Sequence, residues 1–270
     1  MSPRTSVGLV AAGAAARTAL ARLLPGVLGP VMGESYRLAS RMVSALRAGY
    51  PVRDAEGLRR CRTVLIAVPD AVLAPFVERL AAAQVRWTGK VVLLCDSPLT
   101  SAALSRLAEK GARAGSIAEL PGFDPARFLI EGDRAAMRAA RRLIGGRLHA
   151  IEVKPEGKTR LLAAYAIAGD LFIPLATAVQ ACVRAAGLRG EPASSLLEHI
   201  FSRALRAFLK SGRQGSSGIL AAPDAAEVSR RAEVLGQIDP KLAAYFRGAA
   251  ANALRLFGKE DFGLHGLEKG

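Results

Sequence analysis

Three short segments carry residues whose types and order could do chemistry. The first is Ala11-Ala12-Gly13-Ala14-Ala15-Ala16, at the end of the apolar run 6–11 (SVGLVA). Aligned on the dinucleotide fingerprint G-x-G-x-x-G/A, it reads A-x-G-x-x-A. Gly13 keeps the position where a backbone without Cβ lets a pyrophosphate approach. Ala16 satisfies the third position, and Ala11 replaces the first glycine, which serves the tight turn. Backbone N–H groups near Ala14 and Ala15, opening the next helix, would face a phosphate. A small-residue strand-to-helix turn without a ligand accounts for the same segment equally well. No Gly-Lys-Ser/Thr follows, so it is not a Walker loop. The second segment, Gly33-Glu34-Ser35-Tyr36-Arg37, follows the next strand candidate. An acid there grips a ribose 2′-hydroxyl and favours NAD; a hydroxyl with an arginine favours the 2′-phosphate of NADP. Both types are present. Ser35 and Arg37, with Arg41 one turn on, tilt the reading to NADP and leave NAD open; a solvated helix face is the alternative for both arginines.

The third group lies after two further strands, at Val68-Pro69-Asp70 and Cys95-Asp96-Ser97-Pro98. In a doubly wound sheet ligands bind at the carboxyl ends of the strands. Val68, Pro69 and Cys95 would therefore border the nicotinamide end of a dinucleotide. Cys95 has no histidine partner and reads as a buried structural thiol rather than a nucleophile. Asp96 and Ser97 are polar site candidates, or equally a helix cap.

The elements needed to position these residues are legible in the first half of the chain. Short apolar runs at 6–11, 27–32, 63–68, 90–95, 112–117, 127–131 and 147–153 predict strands. Pro30 weakens the second. Helical spacing fills 14–24, 35–48, 71–83, 101–110 and 133–143, with Asp70 placed to cap the third of these. Continuous apolar strands alternating with helices predict an α/β fold, a Rossmann-like doubly wound parallel sheet covered on both faces. After Pro155-Glu156-Gly157 only helical periodicity remains, at 158–186, 194–209, 224–235 and 239–257, with a polar loop at 211–218. The expected domains are 1–154, binding NAD(P), and 155–270, all-α. The last residues, from Gly258, read as a frayed tail.

Composition narrows the classes. The 270 residues are 51% hydrophobic, too apolar for intrinsic disorder. Lys and Arg number 38 against 23 Asp and Glu, a net charge of +15. Such an excess raises nucleic acid or an anionic membrane. However, 30 of the 38 are Arg and 52 residues are Ala, a bias that a GC-rich genome imposes on helix surfaces. Aromatics are 5%, and no helix-turn-helix, zinc or RNA-binding signature is present, so no nucleic-acid partner is expected. Cys61, Cys95 and Cys182 form no C-x-x-C pair and suit a reducing cytosol. His149, His199 and His265 are isolated, so no metal site is expected. Arg17 and Arg22 interrupt the first apolar stretch, against a signal peptide. Residues 161–182 are long enough to span a membrane. Asp170 near the middle and Pro174 argue instead for a helix buried at the centre of a helical domain. A cytoplasmic chain with no membrane partner is the expectation.

Several segments together resemble a known family: VGLVAAGAAARTALARLL, LGPVMGESYRLASRMVSALRAG, VLIAVPD, ARAGSIAELPGF, FLIEGD and KTRLLAAYAIAGDLF. The chain resembles bacterial proteins that join a Rossmann-like N-terminal domain to a helical domain of unknown function. These are related to the pyrroline-5-carboxylate reductase, deazaflavin-dependent NADP oxidoreductase and 3-hydroxyacid dehydrogenase superfamily. The resemblance covers roughly residues 6–257. It implies a cleft between the domains for a small-molecule substrate, and a homodimer made by the helical domain. Departures from the family bear on chemistry. Its threonine-serine-glycine turn is Cys95-Asp96-Ser97 here, and its histidine-proline is Ala118-Glu119. A tyrosine-histidine pair becomes Leu161-Leu162, and a serine-asparagine pair becomes Gly169-Asp170. Of a glycine-proline-x-x-arginine-glycine-aspartate loop only Gly218 and Asp224 survive, while Lys158 matches.

The candidate catalytic residues are therefore Lys158, Asp96, Ser97 and Asp170, with a surface lysine at a helix start as the alternative for Lys158. The expected activity is hydride transfer between NADP(H) and a small carbonyl or imine, in which Lys158 donates a proton or orients the substrate. The alternative is a relative that keeps the fold, and with it a nucleotide, but acts as a binding or interaction module without redox chemistry.

Overall fold

The computed structural model describes residues 7–13, 24, 26–146 and 148–259. Eight strands form one sheet in these residues: β1 (Val7–Ala11), β2 (Leu28–Met32), β3 (Tyr50–Val52), β4 (Thr63–Ala67), β5 (Val91–Cys95), β6 (Arg113–Leu120), β7 (Arg127–Gly132) and β8 (His149–Glu152). Their order is β3-β2-β1-β4-β5-β6-β7-β8. This is the doubly wound order: the chain steps outward from β1 through β2 to β3, then returns to β4 and runs the other way. The helices are α1 (Tyr36–Leu46), α2 (Asp70–Ala82), α3 (Ser105–Glu109), α4 (Arg134–Ile144), α5 (Pro155–Ala185), α6 (Gly190–Ser211), α7 (Ala225–Ile238) and α8 (Pro240–Leu256).

The continuous apolar strands are buried on both faces because alternate side chains point to opposite sides. Leu9, Leu65, Leu93 and Ile130 join one core, under α4 through Ala136, Ala139 and Ile144. Val10, Val64, Ile66 and Leu94 join the other, under α2 through Leu73, Phe76, Val77 and Leu80. Trp87 is buried there, and its indole N–H donates to the Leu80 carbonyl at 3.0 Å.

Several expectations need correction. Residues 50–52 form β3, too short and too exposed to show as an apolar run. The sheet is parallel except at β6–β7, which pair antiparallel, so β7 and β8 run opposite to the rest. The β6–β7 connection spans only residues 121–126, too short for the crossover that parallel neighbours need. Pro30 sits inside β2, where the β1–β2 register shifts between Val7 and Leu9. That irregularity accommodates a residue without an N–H. The helix expected over 101–110 is a 3-10 turn, Ser101–Leu104, followed by the short α3. Asp70 does not cap α2; it is its first residue, and Pro69 is the cap. The expected helix over 14–24 lies outside the described residues except for Leu24.

The chain divides into two compact units, Met1–Tyr165 and Ala166–Gly270, with the boundary inside α5. The expected boundary at 154/155 coincides with the start of that helix. The second unit is helical. Asp224 caps α7 by accepting from Ala226 N at 2.9 Å, and Asp239 caps α8 at Lys241 N, with Pro240 in the first turn. Val228 of α7 and Ala250, Ala251 and Leu254 of α8 form its small core.

The apolar part of α5 is not the buried core helix that its composition suggests. An 18-residue stretch of mean hydropathy 1.7 has none of its residues buried. Ile167, Leu171 and Ile173 are each more than 60% exposed. The helix forms as expected, but no described residue buries that stretch.

Candidate active site

Strand order assembles the site. β1 and β4 are neighbours, with Ala11 paired to Ala67, and the chain leaves them in opposite directions. Their carboxyl ends are the topological switch point, where open α/β sheets bind ligands. Gly13 sits there with φ +66°, in the left-handed region that favours glycine. A Cβ at Gly13 would stand 3.3 Å from Pro69 Cγ. Ala11 is the last residue of β1, in regular register with β4, so nothing at that position demands glycine. The left-handed turn falls at Gly13. Ala14, Ala15 and Ala16 lie outside the described residues.

Two small cavities follow the strand ends. One, of about 140 Å³, is lined by Ala11, Ala12 and Gly13 on one side and by Leu38, Arg41 and Met42 of α1 on the other. The second, of about 180 Å³, is lined by Ala67, Val68, Pro69, Asp70, Cys95 and Asp96. The structure thus brings Val68, Pro69, Cys95 and Asp96 together, as expected for the carboxyl ends of adjacent strands.

Ser35 caps α1, its hydroxyl oxygen accepting from Leu38 N at 3.3 Å. Tyr36, Arg37, Ser40 and Arg41 line an exposed concavity on α1. Arg53 is added to them, its guanidinium 5.0 Å from the Tyr36 ring centroid. The β2–β3 pairing brings Arg53 there, and no local pattern announced it. These residues fit a dinucleotide: a glycine turn open to a phosphate, and cations beside the end of β2. Glu34 is the acid after β2 that keeps a ribose hydroxyl contact available.

Past β5 the polar residues are tightly partnered. Asp96 adopts φ +50°, a left-handed conformation that Asp tolerates better than most residues. Its Oδ1 accepts from Glu119 N at 3.1 Å. Asp96 is exposed as a residue, yet desolvation at the strand ends pushes its carboxyl above the usual carboxylate range. The nearby Glu119 charge adds to this, while the Glu119 N–H and the Lys158 charge oppose it. Ser97 is buried. Its hydroxyl donates to Asp70 Oδ1 at 2.6 Å and accepts from Leu99 N at 3.0 Å. Burial drives the Cys95 thiol far above its ordinary value, which agrees with an inert structural cysteine.

Lys158, in the first turn of α5, is fully buried. Its ammonium donates to the Leu99 carbonyl at 2.5 Å and to Ser116 Oγ at 2.9 Å. Burial lowers its pKa, and Glu131, Cys95, Asp70 and Asp96 counter that. The expectation of Lys158 as a surface lysine at a helix start is therefore wrong. Asp170 is exposed on the part of α5 in the second unit. Ser116, which accepts from Lys158, and Glu131 and Ser101, linked to it by further hydrogen bonds, escaped sequence reasoning. Glu131 is a fully buried acid inside an apolar strand, FLIEG, and that anomaly was the available signal. Among the described residues no group of three His, Cys, Asp or Glu could hold a metal ion.

No family model matches the chain, and no curated protein is similar to it in sequence. Solved structures are similar in fold. An imine reductase from Pseudomonas sp. matches with TM-score 0.67 at 18% identity, over 99% of each chain. An imine reductase from Myxococcus stipitatus, in complex with NAD+, matches at TM-score 0.65 and 18% identity, over 99% of this chain and 100% of the other. A pyrroline-5-carboxylate reductase from Coxiella burnetii matches at TM-score 0.52 and 16% identity, over 94% and 99%. The chain therefore shares the fold of these solved structures, a Rossmann-like sheet followed by a helical C-terminal part.

Proposed function

We propose that the chain is an NADP(H)-dependent reductase of small carbonyl or imine compounds. The observation that carries the reading is Gly13, left-handed at the β1/β4 switch point beside the Val68–Asp70 and Cys95–Asp96 strand ends. The NAD+ complex of the similar Myxococcus imine reductase supports a nicotinamide cofactor. Gly13 admits the pyrophosphate, with Ala14 and Ala15 next in sequence as its further contacts. Ser35 and Arg37, with Arg41 behind, hold the 2′-phosphate. Ala11, Val68, Pro69 and Cys95 form the apolar wall. A nicotinamide bound there would supply the hydride. Asp96 holds a proton on Oδ2, since Oδ1 is committed to Glu119 N, and releases it to the reduced substrate. A raised carboxyl pKa suits that role. Ser97 orients the loop, Lys158 acts from behind it, and Asp170 is the carboxylate that the helical unit contributes.

The chain acts as a homodimer in the cytoplasm under this reading. The uncovered apolar face of α5 supports a second copy as its cover. Asp170 and Pro174 within that stretch argue against lipid.

NADPH and NADH titrations, by fluorescence and by melting temperature, test the cofactor. Cofactor at 100 times its dissociation constant should stabilise the fold by about 2.7 kcal/mol. No shift with either at millimolar concentration overturns the reading. Gly13→Glu should abolish binding. Gly13→Ala, with the same backbone strain but less bulk, should weaken binding less than Gly13→Glu, so the pair separates blockage from misfolding. A second reading has its own support: Ser97, Asp96 and Lys158 are all engaged in internal hydrogen bonds. It makes the chain a nucleotide-binding module without redox chemistry. Tight NADPH binding with no turnover of any cyclic imine, ketone or aldehyde offered would select it.

A further inference from the structure

The second unit holds a cavity of about 570 Å³ that the reading above does not use. Small-molecule sites span about 300–1,000 Å³, so its size is ordinary for one. Two rows of α6 form part of its wall. His199, Arg203 and Ala207 follow one another at a spacing of four, and Ile200, Ala204 and Phe208 run beside them. One row brings cations and the other apolar surface. The segment 211–218, polar and glycine-rich in sequence, supplies more of the wall and is fitted closely to α6. A Cβ at Gly215 would lie 2.4 Å from the Ala207 carbonyl oxygen, so glycine there lets the loop backbone rest on the helix. Gly212 turns the chain at φ +54°, and its N–H donates to the Phe208 carbonyl. Just beyond α8, Lys259 donates to the Leu220 and Ala221 carbonyls and ties down the far end of the same stretch.

The charge in this cavity is one-sided. Arg203, Arg213 and His199 line it, and no aspartate or glutamate does. Elsewhere in the unit Arg230 and Arg231 pair with Glu227. Arg203 and Arg213 meet no carboxylate among the described residues. The Arg213 guanidinium stands over the Phe257 ring, 5.3 Å from its centroid. Stacking uses the flat face of a guanidinium and leaves its N–H edge to an oxyanion. A solvated helix face would carry the same arginines. It would not set them in one concavity with Ile200, Phe208, Leu220 and Phe257, against a loop that glycines fit to the helix. We propose that this cavity is a second ligand site, for an organic anion: Arg203, Arg213 and His199 hold its carboxylate or phosphate group, and Phe208 and Phe257 take its apolar body. An arginine fork matches either oxyanion in the same bidentate way. The site goes beyond the reductase reading and does not rest on it.

The test is calorimetric titration of the full chain, without cofactor, with 4-phenylbutyrate, phenyl phosphate and 4-phenylbutanol. At least one anion should bind at millimolar concentration or below, and the tighter of the two identifies the source as carboxylate or phosphate ester. The alcohol should bind about tenfold more weakly or worse, since hydrogen bonds to a charged group supply that much. Arg203→Gln/Arg213→Gln should weaken the anion about tenfold or more and leave the alcohol unchanged. Ala204→Trp, at an exposed position of α6, should fill the cavity and abolish binding with helicity kept. Gly13→Glu, which should lose NADPH, should still bind the anion, so the two ideas fail separately. If the double glutamine variant does not fold, Arg203→Gln alone carries the comparison, because no carboxylate partner is lost with it. Equal binding of alcohol and anion overturns the proposal, as does unchanged anion binding in the folded glutamine variants. Loss of the anion in Gly13→Glu would put it at the cofactor site and overturns it too, as does the absence of heat from both anions at millimolar concentration.

Discussion

The two units of this chain treat their apolar residues in opposite ways. In Met1–Tyr165 the strands put Leu9, Leu65, Leu93 and Phe128 wholly out of water, and two cores cover the two faces of the sheet. In Ala166–Gly270 the inner core is small, while Leu171, Ile173, Leu205, Phe208 and Leu209 stay exposed. Both units keep ion pairs at the surface, such as Arg106–Glu78 and Arg230–Glu227, but the first also buries a lysine and a glutamate and bridges them through Ser116. The difference teaches that the first unit is finished by its own sequence. The second has hydrophobic surface to spare, of the kind that marks an interaction site.

Four experiments break or sharpen that contrast. The largest effect belongs in the finished core. Leu65→Ala should cost about 3 kcal/mol in urea unfolding, because Leu65 is fully buried between the sheet and its covering helices. A loss below about 1 kcal/mol would mean that the first unit is looser than it looks. Next is the unfinished surface. Leu171→Glu/Ile173→Glu should weaken self-association by about 100-fold, roughly 2.7 kcal/mol. It should turn a dimer into a monomer by light scattering, with little change in helicity. A chain that is monomeric before the substitution would remove the second copy as the cover. Third, Arg37→Ala should weaken NADPH about tenfold, roughly 1.4 kcal/mol, and NADH far less. Equal losses would deny the 2′-phosphate its site on α1.

The smallest effect is a pH dependence. The Asp96 carboxyl is raised in the folded chain, chiefly by desolvation. A carboxyl raised on folding adds stability that is complete below the unfolded carboxylate value, about 3.9. That stability is lost as pH rises through the raised folded value. Asp96→Asn should therefore gain melting temperature relative to wild type as pH climbs from about 3.9 through the titration. A constant difference between the two across that window would show that Asp96 is not perturbed.

Much of this was legible along the chain. The runs TVLIAV and KVVLLC could only be buried strands, since no single-faced element spends so many apolar residues in a row. Gly13 stood out as the middle glycine of the dinucleotide fingerprint, and its φ of +66° is one that glycine adopts easily. The change to helical periodicity after Pro155-Glu156-Gly157 was legible too, although the helix takes in those three residues and starts at Pro155. Less was legible where meaning depends on pairing. β3 is three residues long and shows itself only beside β2. The reversal of β7 follows from the short 121–126 connection, not from anything in RFLIEG. For α5, apolar composition was read as burial in this chain, but composition says only that a cover is needed, not whose.

Amino-acid order by itself therefore determined the elements, the α/β class and the loop that could admit a phosphate. Those depend on periodicity, on a missing Cβ and on proline geometry, all of which act within a few residues. Only the tertiary structure decided the company each side chain keeps. Ser116 and Glu131 meet across an antiparallel ladder, Lys158 reaches them from a helix 42 residues beyond Ser116, and Arg53 finds Tyr36 through a strand pairing. Hydrogen bonds and fields act through space, so partners far apart in sequence become a site only once the sheet has closed.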